Sequence, residues 1–254
     1  MTFRMNFILE CVTSVCWMAM QLVFYLLIFQ YTKTIGVGAD AWDKNQFFAF
    51  IATSMMIFSI MQAFFMPNAA EFSEMIRTGG LDFALLKPID TQFLISLQRV
   101  NWAMLSNFAF GVGLMIYALV QLGVWPSPLQ LVLFPVFIVC GVGIMYSIMT
   151  ALASTSIWLG RNQSLYDFWF YLTNFSRYPM EIYRGPIGTP LQMVCTYMIP
   201  ILIVSNVPAR LMARPFDAQN WWLVGYALFA TAASLMVSRW IFQKALGSYR
   251  SASS

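Results

Sequence analysis

The chain has 254 residues, of which 60% are hydrophobic, 17% aromatic and only 9% charged. The formal net charge is +4 and the mean hydropathy is +0.69, values that exclude an ordinary soluble domain. They predict an all-α polytopic membrane protein that is embedded in a lipid bilayer and has no nucleic acid partner.

Six apolar runs are candidate transmembrane helices. A hydrocarbon core about 30 Å thick takes roughly 20 helical residues at about 1.5 Å each. We predict a single transmembrane domain across residues 1–254, with spans at residues 7–31, 45–66, 93–122, 129–158, 165–178 and 221–242. An even number of spans puts both termini on one side. A slight excess of Lys and Arg on that side predicts that the termini are cytoplasmic.

The first two spans are separated by a polar, glycine-containing loop at residues 32–44. We expect the second span to end at Pro67, because proline has no backbone N–H to donate and disrupts a helix interior. Asn68 follows it, and the chain beyond becomes more polar.

A polar connector, residues 71–90, follows the second span and reads EFSEMIRTGGLDFALLKPID. We predict two short helices here, because Gly79 and Gly80 break the first and Pro88 ends the second, which begins near Leu81. Each has an apolar side, so both can lie at the membrane interface with their charged side chains toward water. Such a segment is a surface that a soluble partner can contact.

The second half of the chain holds the third to sixth spans. A turn at residues 125–128 separates the third from the fourth. The fifth, residues 165–178, is short because Arg177 and Pro179 interrupt it. Residues 179–215 contain six prolines, and their apolar run is too short and too broken to span. We therefore predict a re-entrant broken hairpin before the sixth span.

The residues that most enzymes and metal sites need are missing from the sequence. It has no histidine, so it lacks the commonest general base and the commonest metal ligand. Its four cysteines form no CxxC pair, and it has no GxxxxGK[ST] phosphate loop. We therefore predict no catalytic, metal-binding or cofactor-binding residues, no cofactor, and no enzymatic activity of its own.

Ionisable residues inside the predicted spans are few. Asp167 and Glu181 lie near opposite ends of the fifth span, where we expect interfacial carboxylates rather than an ion-coupling pair. This scarcity counts against a carrier driven by an ion gradient. The 18 methionines suit an amphipathic lipid, peptide or drug-like cargo better than a small ion.

Two stretches resemble the permeases of ABC-2 type transporters. Residues 76–90, IRTGGLDFALLKPID, are similar to the family pattern of a basic residue and a glycine before a leucine–acidic pair and a Leu-Leu-Lys/Arg-Pro run. Residues 173–212 resemble the family's Tyr-Pro element and the proline-marked stretch before its last helix. Gly80 is a departure, because family members often carry an acidic residue there, and a salt bridge made by that residue is lost.

The resemblance implies the membrane subunit of an ABC exporter in the inner membrane of a bacterial cell. Two such six-helix permease subunits, either two copies or two related chains, would work with a separate dimeric ATPase. The connector would be the coupling segment that docks on the ATPase, with contacts from Arg77, Gly79, Leu81, Asp82, Leu85, Leu86, Lys87 and Pro88. The re-entrant element would lie at the extracellular mouth and include Tyr178, Pro179, Tyr183, Pro200 and Pro208.

Two other interpretations stay open. The first is a stand-alone secondary carrier or channel, whose activity would depend on an ion gradient and would need no ATPase. The second is a membrane assembly subunit that transports nothing. An assembly subunit and a permease would carry the same apolar runs and the same connector.

Overall fold

The computed structural model describes residues 2–38, 40–123, 125–159, 163–214 and 221–249. Its α-helices are α1 (Thr2–Tyr31), α2 (Lys44–Ile60), α3 (Met66–Thr78), α4 (Gly80–Leu85), α5 (Thr91–Ser96), α6 (Leu105–Leu122), α7 (Pro128–Ser154), α8 (Ser156–Leu159), α9 (Gln163–Asn174), α10 (Gly188–Met193), α11 (Ile203–Ala213) and α12 (Trp221–Ser248). Two short strands, β1 (Thr34–Ile35) and β2 (Trp42–Asp43), pair antiparallel. The π-helical segments are Met61–Phe65 and Val194–Met198. The 3-10 turns are Trp102–Met104, Phe175–Arg177 and Met180–Tyr183.

Five helical stretches of the described chain are long and apolar enough to cross a membrane. They are Met5–Tyr31, Lys44–Thr78, Trp102–Leu122, Pro128–Leu159 and Trp221–Ser248. A sixth candidate is a bent pair, Gly188–Met198 and Ile203–Ala213, whose two halves meet at 94°. The predicted all-α membrane fold is thus confirmed with five candidate spans, or six if the bent pair counts as one.

The fifth and sixth candidates differ from the sequence prediction. Residues 165–178 were expected to span, but α9 has only 12 residues and covers about 18 Å at about 1.5 Å per residue. A 3-10 turn follows it at Phe175–Arg177. The bent pair instead comes from the proline-rich stretch, where a broken hairpin was predicted. A bend of 94° agrees with a re-entrant loop as well as with a broken span.

The third span begins later than predicted. Residues 93–101 do not continue it, because α5 is a separate short helix that ends at Ser96. The carboxylate of Asp90 caps this helix by accepting the backbone N–H of Phe93 at 3.0 Å. A loop and a 3-10 turn then lead into the span, which starts at Trp102.

Pro67 does not end the second span, contrary to the prediction. The helix runs on over Lys44–Thr78, 35 residues in all, through the π-helical segment Met61–Phe65. Pro67 has no N–H to give the carbonyl oxygen of Ala63, four residues earlier. The backbone N–H of Asn101 donates to that oxygen instead, at 2.8 Å. The missing helical hydrogen bond is therefore replaced by a tertiary one.

Asn68 completes this arrangement. Its side chain is 3% exposed, and its amide nitrogen lies 2.6–3.0 Å from the carbonyl oxygens of Phe64, Ser96 and Arg99. Its own carbonyl oxygen accepts the backbone N–H of Arg99 at 2.8 Å. One side chain thus fixes the loop after α5 to the long helix. We call Pro67 and Asn68 the helix joint.

The centre of the helical bundle is α2, which lies against α6, α7 and α11. Glycines let these helices approach one another closely. A side chain at Gly111 of α6 would come within 3.1 Å of the Ala52 carbonyl oxygen. One at Gly141 of α7 would come within 2.9 Å of the Val204 carbonyl oxygen. In contrast, α1 packs chiefly on α6 and leaves most of its apolar surface exposed.

A second, smaller core lies at the connector end of the bundle. Its buried members are Phe72, Leu81, Ala84, Ile95 and Phe242. They belong to α3, α4, α5 and α12, so the connector packs on the last helix of the chain. We call this group the connector core.

We expect Asn68→Leu to lower the free energy of unfolding by about 2–4 kcal/mol, because several buried backbone groups lose their hydrogen-bond partner. Unfolding of the purified chain in detergent measures this change. Asn45→Leu is the matched control, because Asn45 is only half-buried and its single described side-chain hydrogen bond, to the Gln121 carbonyl oxygen, is long at 3.5 Å. Equal unfolding midpoints for the two variants would contradict this role of Asn68.

Candidate functional site

Within the connector, α3 and the short helix α4 meet at Gly79; the first of the two predicted short helices is instead the end of the long helix Lys44–Thr78. Gly79 ends α3 in the left-handed conformation, with φ 72°, which glycine adopts without steric cost. The helix α4 follows at once and ends at Leu85, before Pro88. The predicted break at Gly79 and Gly80 is therefore present, and it turns α4 so that it packs on the connector core.

The residues predicted to dock on a partner have different environments. Leu81 is fully buried in the connector core, so it supports the segment from inside and offers nothing to a partner. Asp82 is half-buried, whereas Leu85, Lys87 and Pro88 are exposed. Leu86 is 81% exposed, which is high for a leucine.

Arg77 lies at the exposed end of α3. Its guanidinium forms a salt bridge with the Glu74 carboxylate one turn earlier. Both side chains remain about half exposed in this pair. Arg77 is therefore placed where a partner can reach it, although one of its charge contacts is already made within the chain.

Sequence reasoning missed three exposed apolar residues in the same region. Phe83 is 73% exposed, and Ile89 and Phe93 are exposed as well. A signal was available, because Leu81 and Ala84 are three residues apart and share the buried face of α4. That spacing turns Phe83 and Leu86 to the opposite face. We call Phe83, Leu85, Leu86, Ile89 and Phe93 the connector surface.

Ion pairs attach the connector to the bundle. Arg239 of α12 donates to the Asp90 carboxylate at 2.9 Å and to the Gln92 amide oxygen at 3.0 Å. The Arg99 guanidinium lies 2.6 Å from the Glu71 carboxylate. The hydrogen bond from Arg239 and, to a smaller extent, the one from the backbone N–H of Phe93 lower the pKa of Asp90 below its usual value. The connector is thus held at both of its ends.

The opposite end of the bundle is built around a buried acidic side chain. Glu181 is fully buried, where an interfacial carboxylate in water was expected. The indole N–H of Trp42 donates to its carboxylate at 2.7 Å, and Arg210 forms a salt bridge with it. These partners explain its burial, and they occupy the carboxylate that an ion-driven carrier would need to leave free. Asp167 lies on α9, and its side chain is outside the part of the chain that the structure describes.

The loop that contains β1 and β2 is tied to the same place. The Arg184 guanidinium contacts the Asp40 carboxylate at 2.7 Å, and Arg214 donates to the Asp40 carbonyl oxygen at 2.6 Å. Arg214 also stacks on the Trp42 ring, 4.7 Å from its centroid. We call Asp40, Trp42, Glu181 and the three arginines 184, 210 and 214 the end clamp. The hydrogen bond from Arg184 lowers the pKa of Asp40 below its usual value.

The predicted re-entrant residues surround this clamp. Tyr178 is exposed and Pro179 is buried, directly before the turn that carries Glu181. The Tyr183 hydroxyl donates to the Phe175 carbonyl oxygen at 3.2 Å. Pro200 lies in the bend of the broken pair, and Pro208 is buried within α11.

These features define a class of protein: a polytopic helical membrane protein with a packed connector at one end and a charged clamp at the other. A family model for ABC-2 family transporter proteins matches residues 15–253, which is nearly the whole chain. The chain therefore belongs to the ABC-2 transporter family and is a membrane component of such a transporter. No curated protein and no solved structure matches it.

The Asp90–Arg239 pair makes a prediction about pH. Because the pKa of Asp90 is lowered in the folded chain, its charge stabilises the fold above a pH of about 4, and this contribution is lost as the pH falls through the folded value. We expect Asp90→Asn, which keeps an N-cap residue, to lower the melting temperature at pH 7. The difference from the unmodified chain should narrow as the pH falls below about 4 and the Asp90 carboxylate becomes protonated in the folded chain.

Thermal unfolding in detergent at a series of pH values measures this difference. Asp43→Asn is the control, because Asp43 also precedes a helix but has no arginine partner among the described residues. A constant difference between Asp90→Asn and the unmodified chain over the whole pH series would contradict the assignment.

Proposed function

We propose that the chain is the permease subunit of an ABC exporter, in which it forms the translocation pathway with a second permease chain and is driven by separate ATPase subunits. Membership of the ABC-2 family supports this proposal. The observation that carries it is the connector surface, a row of exposed apolar side chains on a segment that is itself firmly packed. Exposed apolar groups of this size next to charges are typical of a protein interface.

The ATPase would dock on the connector surface through Phe83 and Leu86, with polar contacts from Arg77, Asp82 and Lys87 around them. This division follows the usual anatomy of interfaces, in which an apolar centre is surrounded by a polar rim. Leu81 and Gly79 would not contact the ATPase; they would fix the position of α4.

Movement of the ATPase would reach the membrane through the long helix. Because α2 and α3 form one continuous stretch, a push on the connector displaces the buried centre of the bundle as a rigid body. The connector core and the Asp90–Arg239 pair would carry the same push to α12. One contact surface thus drives two spans.

The opposite end would be the extracellular face, with the termini and the connector in the cytoplasm. The end clamp would hold the 32–43 loop over the broken pair and keep the mouth closed between transport cycles. Tyr178, Pro179, Tyr183, Pro200 and Pro208 would shape this mouth.

We expect Leu86→Asp to abolish binding of the ATPase, because it places a charge at the centre of an apolar interface. Affinity purification of the tagged chain from its own host in mild detergent, followed by mass spectrometry, measures the ratio of ATPase to permease. The ratio should be near one for the unmodified chain and fall at least about tenfold for the variant.

Trp125→Asp is the matched control, because Trp125 is 82% exposed and lies in the turn before α7, away from the connector. This variant should retain the ATPase. Recovery of the unmodified chain without any nucleotide-binding subunit would contradict the proposal, as would equal ATPase recovery with the Leu86 variant.

A further inference from the structure

A cavity of about 310 Å³ opens between α1, α2 and the turn that follows α9. Its volume is in the range of known ligand pockets, about 300–1,000 Å³. Its wall includes apolar side chains of α1 and α2, among them Met18 and Ile51. Polar side chains also line it, and the one with a full charge is Arg177.

Arg177 differs from the other arginines whose side chains the structure describes. Each of the others forms a salt bridge with a carboxylate, and these are Arg77, Arg99, Arg184, Arg210, Arg214 and Arg239. Arg177 has no carboxylate within salt-bridge distance in the described part of the chain. Its guanidinium instead stacks on Phe58, 4.3 Å from the ring centroid, and its buried Nε has no hydrogen-bond partner there.

Further unused polar groups line the same cavity. Ser54 is 7% exposed, and its buried hydroxyl has no hydrogen-bond partner among the described residues. Ser54, Phe58 and Gln62 follow one another at intervals of four residues, and all three line the cavity from the second span. Gln21 of α1 faces the cavity from the other side. One cation, three amide side chains and three hydroxyls thus line one cavity, with Asn174, Tyr25 and Tyr178 completing the set.

A guanidinium in low-dielectric surroundings is costly unless an anion compensates it. We propose that this cavity binds the anionic head group, a phosphate or a carboxylate, of an amphiphile. Arg177 is the charge partner, Ser54 and Gln62 donate hydrogen bonds, and the apolar wall contacts the hydrocarbon chain. This site can take a resident bilayer lipid or the transported cargo, and only the second case rests on the proposed permease function.

Binding of two lipids that differ only in head-group charge tests the site. The full chain is purified in detergent and titrated with dioleoyl phosphatidylglycerol, which is anionic, or dioleoyl phosphatidylcholine, which is zwitterionic. Native mass spectrometry gives the bound fraction. We expect the chain to prefer the anionic lipid by about tenfold or more, as a charge-assisted hydrogen bond supplies.

Variants assign that preference to Arg177. Arg177→Gln should abolish it and Arg177→Lys should retain part of it. Arg184→Gln is the control, because Arg184 already pairs with Asp40, and it should keep the full preference. Gln62→Glu keeps the arginine but supplies an internal carboxylate, so it should also lose the preference even if Arg177→Gln does not fold. Equal binding of both lipids by the unmodified chain overturns the proposal, as does a preference that survives in both Arg177→Gln and Gln62→Glu.

A second measurement separates the two sources of the amphiphile. The complex of the chain with its ATPase is assayed for ATP hydrolysis with dodecyl phosphate and with neutral dodecanol. Stimulation by dodecyl phosphate alone, lost in Arg177→Gln, identifies the site as a cargo site. Lipid preference without such stimulation identifies a resident lipid, and both results support the anion site. Failure to recover any ATPase, with the lipid preference intact, would count against the proposed function and not against this site.

Discussion

The helix joint lets the most buried helix of the bundle continue past a proline and reach the connector. A backbone carbonyl within or near hydrocarbon must find a hydrogen-bond partner, and Pro67 gives none to Ala63. Because Asn101 supplies that partner and Asn68 fixes the neighbouring loop, the helix continues past the proline over 35 residues. The first part of the connector, residues 71–78, is therefore an extension of the most buried span, and α4 follows it directly after the break at Gly79.

The two ends of the bundle use their charged residues differently. At the end clamp the charged side chains pair with one another. Glu181 contacts Trp42 and Arg210, and Arg184 and Arg214 pair with Asp40. At the connector the ion pairs lie behind the segment and the apolar side chains point outward. This asymmetry agrees with the proposed docking of an ATPase at the connector end.

Local patterns in the sequence predicted what depends on local physics. The length of the apolar runs predicted a membrane protein, and Gly79 and Gly80 predicted the break between α3 and α4. The errors arose where distant residues decide the outcome. Pro67 was expected to end the helix, but the backbone N–H of Asn101 supplies the hydrogen bond that the proline cannot. Glu181 was expected in water because its partner Trp42 lies 139 residues away in the sequence, where local spacing does not reveal it. Leu81 was assigned to a docking surface because its spacing alone does not say which face of α4 meets the connector core.

Site-specific photo-cross-linking can show whether the connector surface contacts a separate ATPase. A benzophenone amino acid replaces Leu86 in one variant and Trp125 in another, and each full chain is irradiated in the cells of its own host. Mass spectrometry then identifies the joined peptides. We expect an adduct between position 86 and a nucleotide-binding subunit, and none with that subunit from position 125. Adducts from position 86 with lipid alone, or the same adducts from both positions, would contradict the proposed docking.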